Sequence, residues 1–147
     1  MTDPDPSAVK QILSELRDVS KEKRRTAVMK LGMMGGDEAI RALMVAVANH
    51  NEDLLVRGRA AMMLGKLGDP RAVEPLIRAL DAPGFQTPLY AAQSLGKLGD
   101  PRAIEPLLRV IESHNDKTRE AAQEALEKLG YHNHSEPNDQ KIGEPEA

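Results

Sequence analysis

Four histidines, at positions 50, 114, 132 and 134, are the first residues to test for chemistry. His132 and His134 stand one residue apart in a polar segment, and two imidazoles alone make an incomplete metal site. Cysteine is absent, which removes disulfides, thiolate zinc sites and Cys-held iron–sulfur clusters. No Ser/His/Asp or Cys/His constellation is recognisable. Gly32, Gly35 and Gly36 recur with the turns rather than forming a phosphate-cradling loop. The sequence therefore offers no catalytic, cofactor-binding or metal-ligating residue, and what chemistry remains is that of binding.

Two sets of side chains are suited to binding. Arg71, Glu74 and Arg78 recur as Arg102, Glu105 and Arg109, and Lys10 and Arg41 take the Glu74 position in earlier segments. Such a strip predicts an acidic protein partner. Its competing role is internal, because Glu74 to Arg78 and Glu105 to Arg109 are i, i+4 pairs in the orientation that steadies a helix. The second set is methionine: Met29, Met33, Met62 and Met63.

Both sets sit in a repeat. LGKLGDPRAVEPL from Leu64 returns as LGKLGDPRAIEPL from Leu95, and the Leu-Gly anchors fall at Leu31, Leu64 and Leu95, with Leu126, followed by Glu127, in the same register. Spacings of this size leave room for two short helices and two turns, the mark of a stacked repeat. Val56, Ala60, Leu64 and Leu67 give the apolar stripe of a first helix; Val73, Leu76, Ile77 and Leu80 give that of a second. Between them Gly68 suits a left-handed helix end, Asp69 an N-cap and Pro70 a first turn. Pro75 and Pro106 fall inside the second helices and are expected to bend them. The register predicts eight helices, at 6–18, 21–34, 37–49, 53–67, 70–81, 86–98, 101–113 and 116–129. Residues 132–147, HNHSEPNDQKIGEPEA, read as a disordered polar tail.

Comparing equivalent positions separates core from surface. Met34 shares a column with Leu67, Leu98 and Leu129, so it reads as core filling. Met33 aligns with Lys66, Lys97 and Lys128; Met29 and Met62 with Gln93 and Glu124; and Met63 with Lys30, Ser94 and Ala125. These columns are polar elsewhere, which predicts exposure and an adaptable apolar patch built on Met29, Met33 and Met62. Arg24, Arg57 and Arg119 form a column expected to tie repeats together. Phe85, the one phenylalanine, is expected to cap the core locally.

With Ala60-Ala61, Leu64-Gly65, Gly68-Asp69-Pro70-Arg71-Ala72 and Leu76-Ile77 in place, the sequence resembles the short HEAT-like repeats of the phycobilisome lyase type. The resemblance runs from residue 5 to residue 130, with Gly35-Gly36-Asp37-Glu38 replacing the usual turn in the first unit. It implies a right-handed α-solenoid whose second helices line a concave face and hold other proteins. The family includes subunits that attach or detach bilins and a di-iron hydroxylase whose metal is held by His-Glu pairs. Here the histidines are followed by Asn51, Asn115, Asn133 and Ser135, so no di-iron site is expected.

Composition agrees. Phe85, Tyr90 and Tyr131 are the aromatic residues, so Leu, Ile, Val, Met and Ala must build the core, which suits helices. A net charge of -3 with little to stack on bases argues against nucleic acid. No apolar run suits a membrane span, and Met1 leads into TDPDPS rather than a signal peptide. The expectation is an all-α, right-handed α-solenoid of about four HEAT-like repeats over residues 1–130, with a tail at 131–147. It would act as a non-enzymatic, cytoplasmic, monomeric scaffold for a protein partner, without cofactor. Arg41, Arg71, Arg78, Arg102 and Arg109 or the methionines would carry the contact. The alternative is an accessory factor or subunit in bilin attachment to, or detachment from, phycobiliproteins.

Overall fold

The computed structural model describes residues 4–114 and 116–132; His134 and the rest of the expected tail from residue 133 lie outside them. The described residues form eight α-helices: α1 (Pro6–Glu15), α2 (Lys21–Met34), α3 (Asp37–Ala48), α4 (Leu54–Leu67), α5 (Val73–Ala79), α6 (Gln86–Leu98), α7 (Ile104–Ser113) and α8 (Lys117–Lys128). Among them there is no strand. Side-chain caps start the helices where the sequence places Asp or Ser: Asp5 for α1, Ser20 for α2, Asp53 for α4 and Asp116 for α8 each accept from first-turn N–H groups. Gly68 and Gly99, at φ 75° and 71°, close α4 and α6 in the left-handed region.

The second helices of the middle repeats differ from the expected single helices with an internal bend. Pro70–Ala72 and Pro101–Ala103 are short 3-10 turns, and the α-helices begin only at Val73 and Ile104. The cause is Pro75. Without an N–H it cannot bond to the Arg71 carbonyl, so the chain starts with a tighter turn, Val73 N–H to Pro70 C=O, and Pro75 falls in the first α turn where its missing donor costs little. Pro106 does the same in α7.

The helices alternate between two layers. In the first, α2, α4, α6 and α8 lie side by side; in the second, α1, α3 and α5 follow one another and α7 joins through its leading 3-10 turn. This is an α-solenoid of about four repeats, with fully buried Leu31, Leu64 and Leu95 meeting Leu43, Leu76 and Leu107 between the layers.

Glycine sets the spacing of the first layer. A Cβ on Gly65 would fall on the Ser94 side chain, one on Gly96 would stand 2.9 Å from Ala125 Cα, and one on Gly32 would overlap Met63. Each glycine is thus a notch for the residue preceding the anchor leucine of the next repeat. Ser94 completes its fit by donating from Oγ to the Ala61 carbonyl at 2.6 Å. This overturns the expected exposure of Met63, which is only 6% exposed because its side chain fills the Gly32 notch. Phe85 is likewise corrected: it precedes α6 with 55% of its surface exposed and does not cap the core.

Candidate protein interface

The charged strip runs along the second layer, where three of its five arginines are held in ion pairs, two of them with neighbouring repeats. Asp37 follows Gly36, which takes the N-cap position of α3, so its carboxylate is free to clasp Arg41 and Arg71, each at 2.8 Å. Arg71 also closes on Asp69, the carboxylate that caps its own turn, at 3.0 Å. One repeat later Arg102 sits between Asp100 at 2.8 Å and Glu74 at 3.4 Å. The bonds to Asp69, then to Asp37, raise the Arg71 pKa, and Asp100 raises that of Arg102. Arg71 and Arg102 are therefore rungs of an inter-repeat ladder, and Arg41 is held on Asp37 within α3.

Arg78 and Arg109 differ. Both are exposed on the outer side of α5 and α7. The expected Glu74–Arg78 and Glu105–Arg109 pairs are absent among the described residues, since Glu74 turns to Arg102 instead. No ion pair within 4.0 Å engages either guanidinium there, leaving two free cations at equivalent points of successive repeats. The same column in the first unit holds Val45, 70% exposed. Arg78, Arg109 and Val45 together give the second layer an unpartnered outer surface.

The methionines divide. Met29 and Met62 are half-buried and share a groove on the first layer, of about 400 Å³, with Leu55 and Tyr90 as further walls and Gly58 as its floor. Met33, 74% exposed, instead borders a hollow with Pro4, Ile12 and Met34 where α1 meets α2. Of the patch expected from sequence, Met29 and Met62 share the groove, and Met33 lines the hollow at α1. Registry along one helix was legible; the position of α1 over the end of α2 was not.

The arginine column behaves as a set of internal ties in its first two members. Arg24 donates to Glu52 at 3.1 Å and to the Asp18 and Val19 carbonyls at 2.8 and 3.0 Å. Arg57, 2% exposed, donates from Nε to the Val47 carbonyl at 3.1 Å, and its burial lowers its pKa. Arg119 is exposed. Sequence reasoning missed the neighbouring clasp of Arg25 on Asp53, at 2.8 and 3.0 Å. Bonding to Arg25 holds the Asp53 carboxyl down at about 2, with help from the N–H groups of Val56 and Leu55 that it caps. Adjacent Asp53 in an N-cap position was the available signal.

Among the described residues, no three metal-ligating side chains converge and no helix is long and apolar enough to cross a membrane. The surfaces can bind through charge, apolar contact and hydrogen bonding. Comparison with known proteins places this arrangement. The complex of CpcE and CpcF of phycocyanin lyase from Nostoc sp. PCC7120 is similar at 28% identity and a TM-score of 0.73, over 83% of this chain and 53% of that one. Human deoxyhypusine hydroxylase, in complex with glycerol, is similar at 25% identity and a TM-score of 0.72, over 88% of this chain and 46% of that one. The chain thus spans about half the length of these solved structures. No curated protein matches it. HEAT repeats match residues 9–87 and 85–137, and with the two-layered stack this shows that the chain belongs to the HEAT repeat family.

Proposed function

We propose that the chain is a non-enzymatic scaffold that holds an acidic segment of a protein partner against its second helical layer. The observation that carries this reading is the pair Arg78 and Arg109: exposed, 31 residues apart in equivalent positions, and unpaired although each follows a glutamate by one turn. The other strip arginines are consumed within the stack. A surface held by inter-repeat ion pairs and glycine notches is preformed, so binding orders little of the scaffold. Its similarity to a complex of two lyase subunits supports association with protein.

Affinity capture from the native source tests this. Wild-type protein should retain a partner that Arg78→Glu/Arg109→Glu loses while its helical signal is unchanged; undiminished capture by the double variant overturns the reading. A second reading, an accessory subunit in bilin attachment or detachment, is favoured specifically by the 28% identity to phycocyanin lyase. Absorbance of protein purified with bilin present separates the two. A co-eluting, red-shifted bilin displaces the plain scaffold.

A further inference from the structure

Resting on the protein-binding reading, we propose that the first-layer groove anchors an amphipathic partner segment, taking one large apolar side chain in the groove and a carboxylate one helical turn away on Arg59. Gly58 leaves part of this groove open: a Cβ there would occupy it in ordinary contact, 3.4 Å from Tyr90 Cδ2 and 3.6 Å from Gln86 Cβ. The equivalent positions of α2, α6 and α8 carry Arg25, Leu89 and Glu120, so the opening belongs to this repeat. Met29 and Met62 wall it with unbranched, polarizable side chains that adapt to an inserted group.

The polar rim fixes the partner's charge. Arg59 has no ion pair or hydrogen bond among the described residues, whereas nearby Arg25 is locked on Asp53 and Arg24 on Glu52. The Gln86 amide and Tyr90 hydroxyl at the same groove are also without a hydrogen-bond partner among the described residues. No acidic residue lines the groove, and Asp53, the nearest capping carboxylate in sequence, is saturated by Arg25 and the first turn of α4. Three lining residues able to donate hydrogen bonds, Arg59, Gln86 and Tyr90, one of them cationic, beside apolar walls call for a carboxylate next to an apolar anchor. An acidic amphipathic helix supplies both at i and i+4.

The probe is a fluorescent Ala/Gln-based helical peptide with a central Leu and a Glu four residues later. Its controls carry Lys in place of Glu, or Ala in place of Leu. Binding is read by anisotropy and by the 13C-methyl signals of the methionines in the full chain. The Leu/Glu peptide should bind at least tenfold tighter than either control and move the Met29 and Met62 methyls while that of Met44, on α3 in the second layer, stays in place. Arg59→Glu, a surface change that keeps the fold, should reverse the preference toward the Lys peptide. Equal binding of the Glu and Lys peptides, or an unchanged preference in Arg59→Glu, overturns the groove. So do methyl shifts that grow with protein concentration without peptide, which would place a second copy there. If the groove fails while the source partner is still captured through Arg78 and Arg109, the scaffold reading stands; if capture fails too, both fall.

Discussion

Replacing Gly65 by alanine tests the physical basis of the stack. In an isolated helix this change would stabilise by about 1 kcal/mol, because alanine has less backbone freedom to lose. In α4 the new Cβ would fall on the Ser94 side chain and 2.8 Å from Ser94 Cα, where ordinary contact begins at 3.4 Å. The helices must part by about 0.6 Å in a close-packed layer, and overpacking of this kind costs about 1–3 kcal/mol. Parting them also breaks the buried 2.6 Å bond from Ser94 Oγ to the Ala61 carbonyl, worth a further loss of about 1–3 kcal/mol. After the propensity gain, the net expectation is a loss of about 3 kcal/mol, within a range of about 1–5. Urea unfolding followed by circular dichroism measures it. The pair Gly65→Ala/Ser94→Gly, which moves the notch to the other helix, should recover part of the loss with a coupling of about 1–2 kcal/mol. Stabilisation by Gly65→Ala, or strict additivity of the two changes, refutes the notch as the determinant of repeat spacing.

Further expectations concern single contacts. Asp53 has its folded pKa lowered from 3.8 to about 2 by Arg25, so its contribution is present above the unfolded value and is lost as pH falls from about 4 toward 2. Asp53→Asn should therefore be less stable than wild type by about 1–2 kcal/mol at pH 7, after allowance for solvent screening, and the difference should shrink as pH falls from about 4 and vanish only below about 2 in parallel urea titrations. Met63→Ala, emptying the buried side chain that fills the Gly32 notch, should cost about 2–4 kcal/mol, while Met33→Lys, on the surface, should stay within about 0.5 kcal/mol of wild type in thermal unfolding.

Much of this fold is written locally. The anchor Leu64-Gly65 and the turn Gly68-Asp69-Pro70 specify where a helix ends and where the next begins, because left-handed φ, cap and first-turn proline are single-residue properties. What escaped local reading depends on neighbours in space. Met63 looked exposed because its column holds Lys30 and Ser94. Lys30 is exposed and pairs with Glu15 of α1 at 3.3 Å. Ser94 is polar because its hydroxyl bonds a buried carbonyl. Glu74 and Arg78 had the right spacing to pair, yet Arg102 from the next repeat reaches Glu74 instead. The candidate surfaces were visible as residue types, but which arginines remain free emerged only when the repeats were stacked.

Hydrogen exchange of the chain, alone and with the partner it captures, tests the central claim of a preformed protein-binding surface most directly. Strong protection of α2, α4 and α6 is expected in the free chain, with binding adding protection to α5 and α7 around Arg78 and Arg109 without the repeats first having to order. Exchange showing that the repeats become ordered only when the partner binds, or a footprint that leaves α5 and α7 untouched, would contradict it.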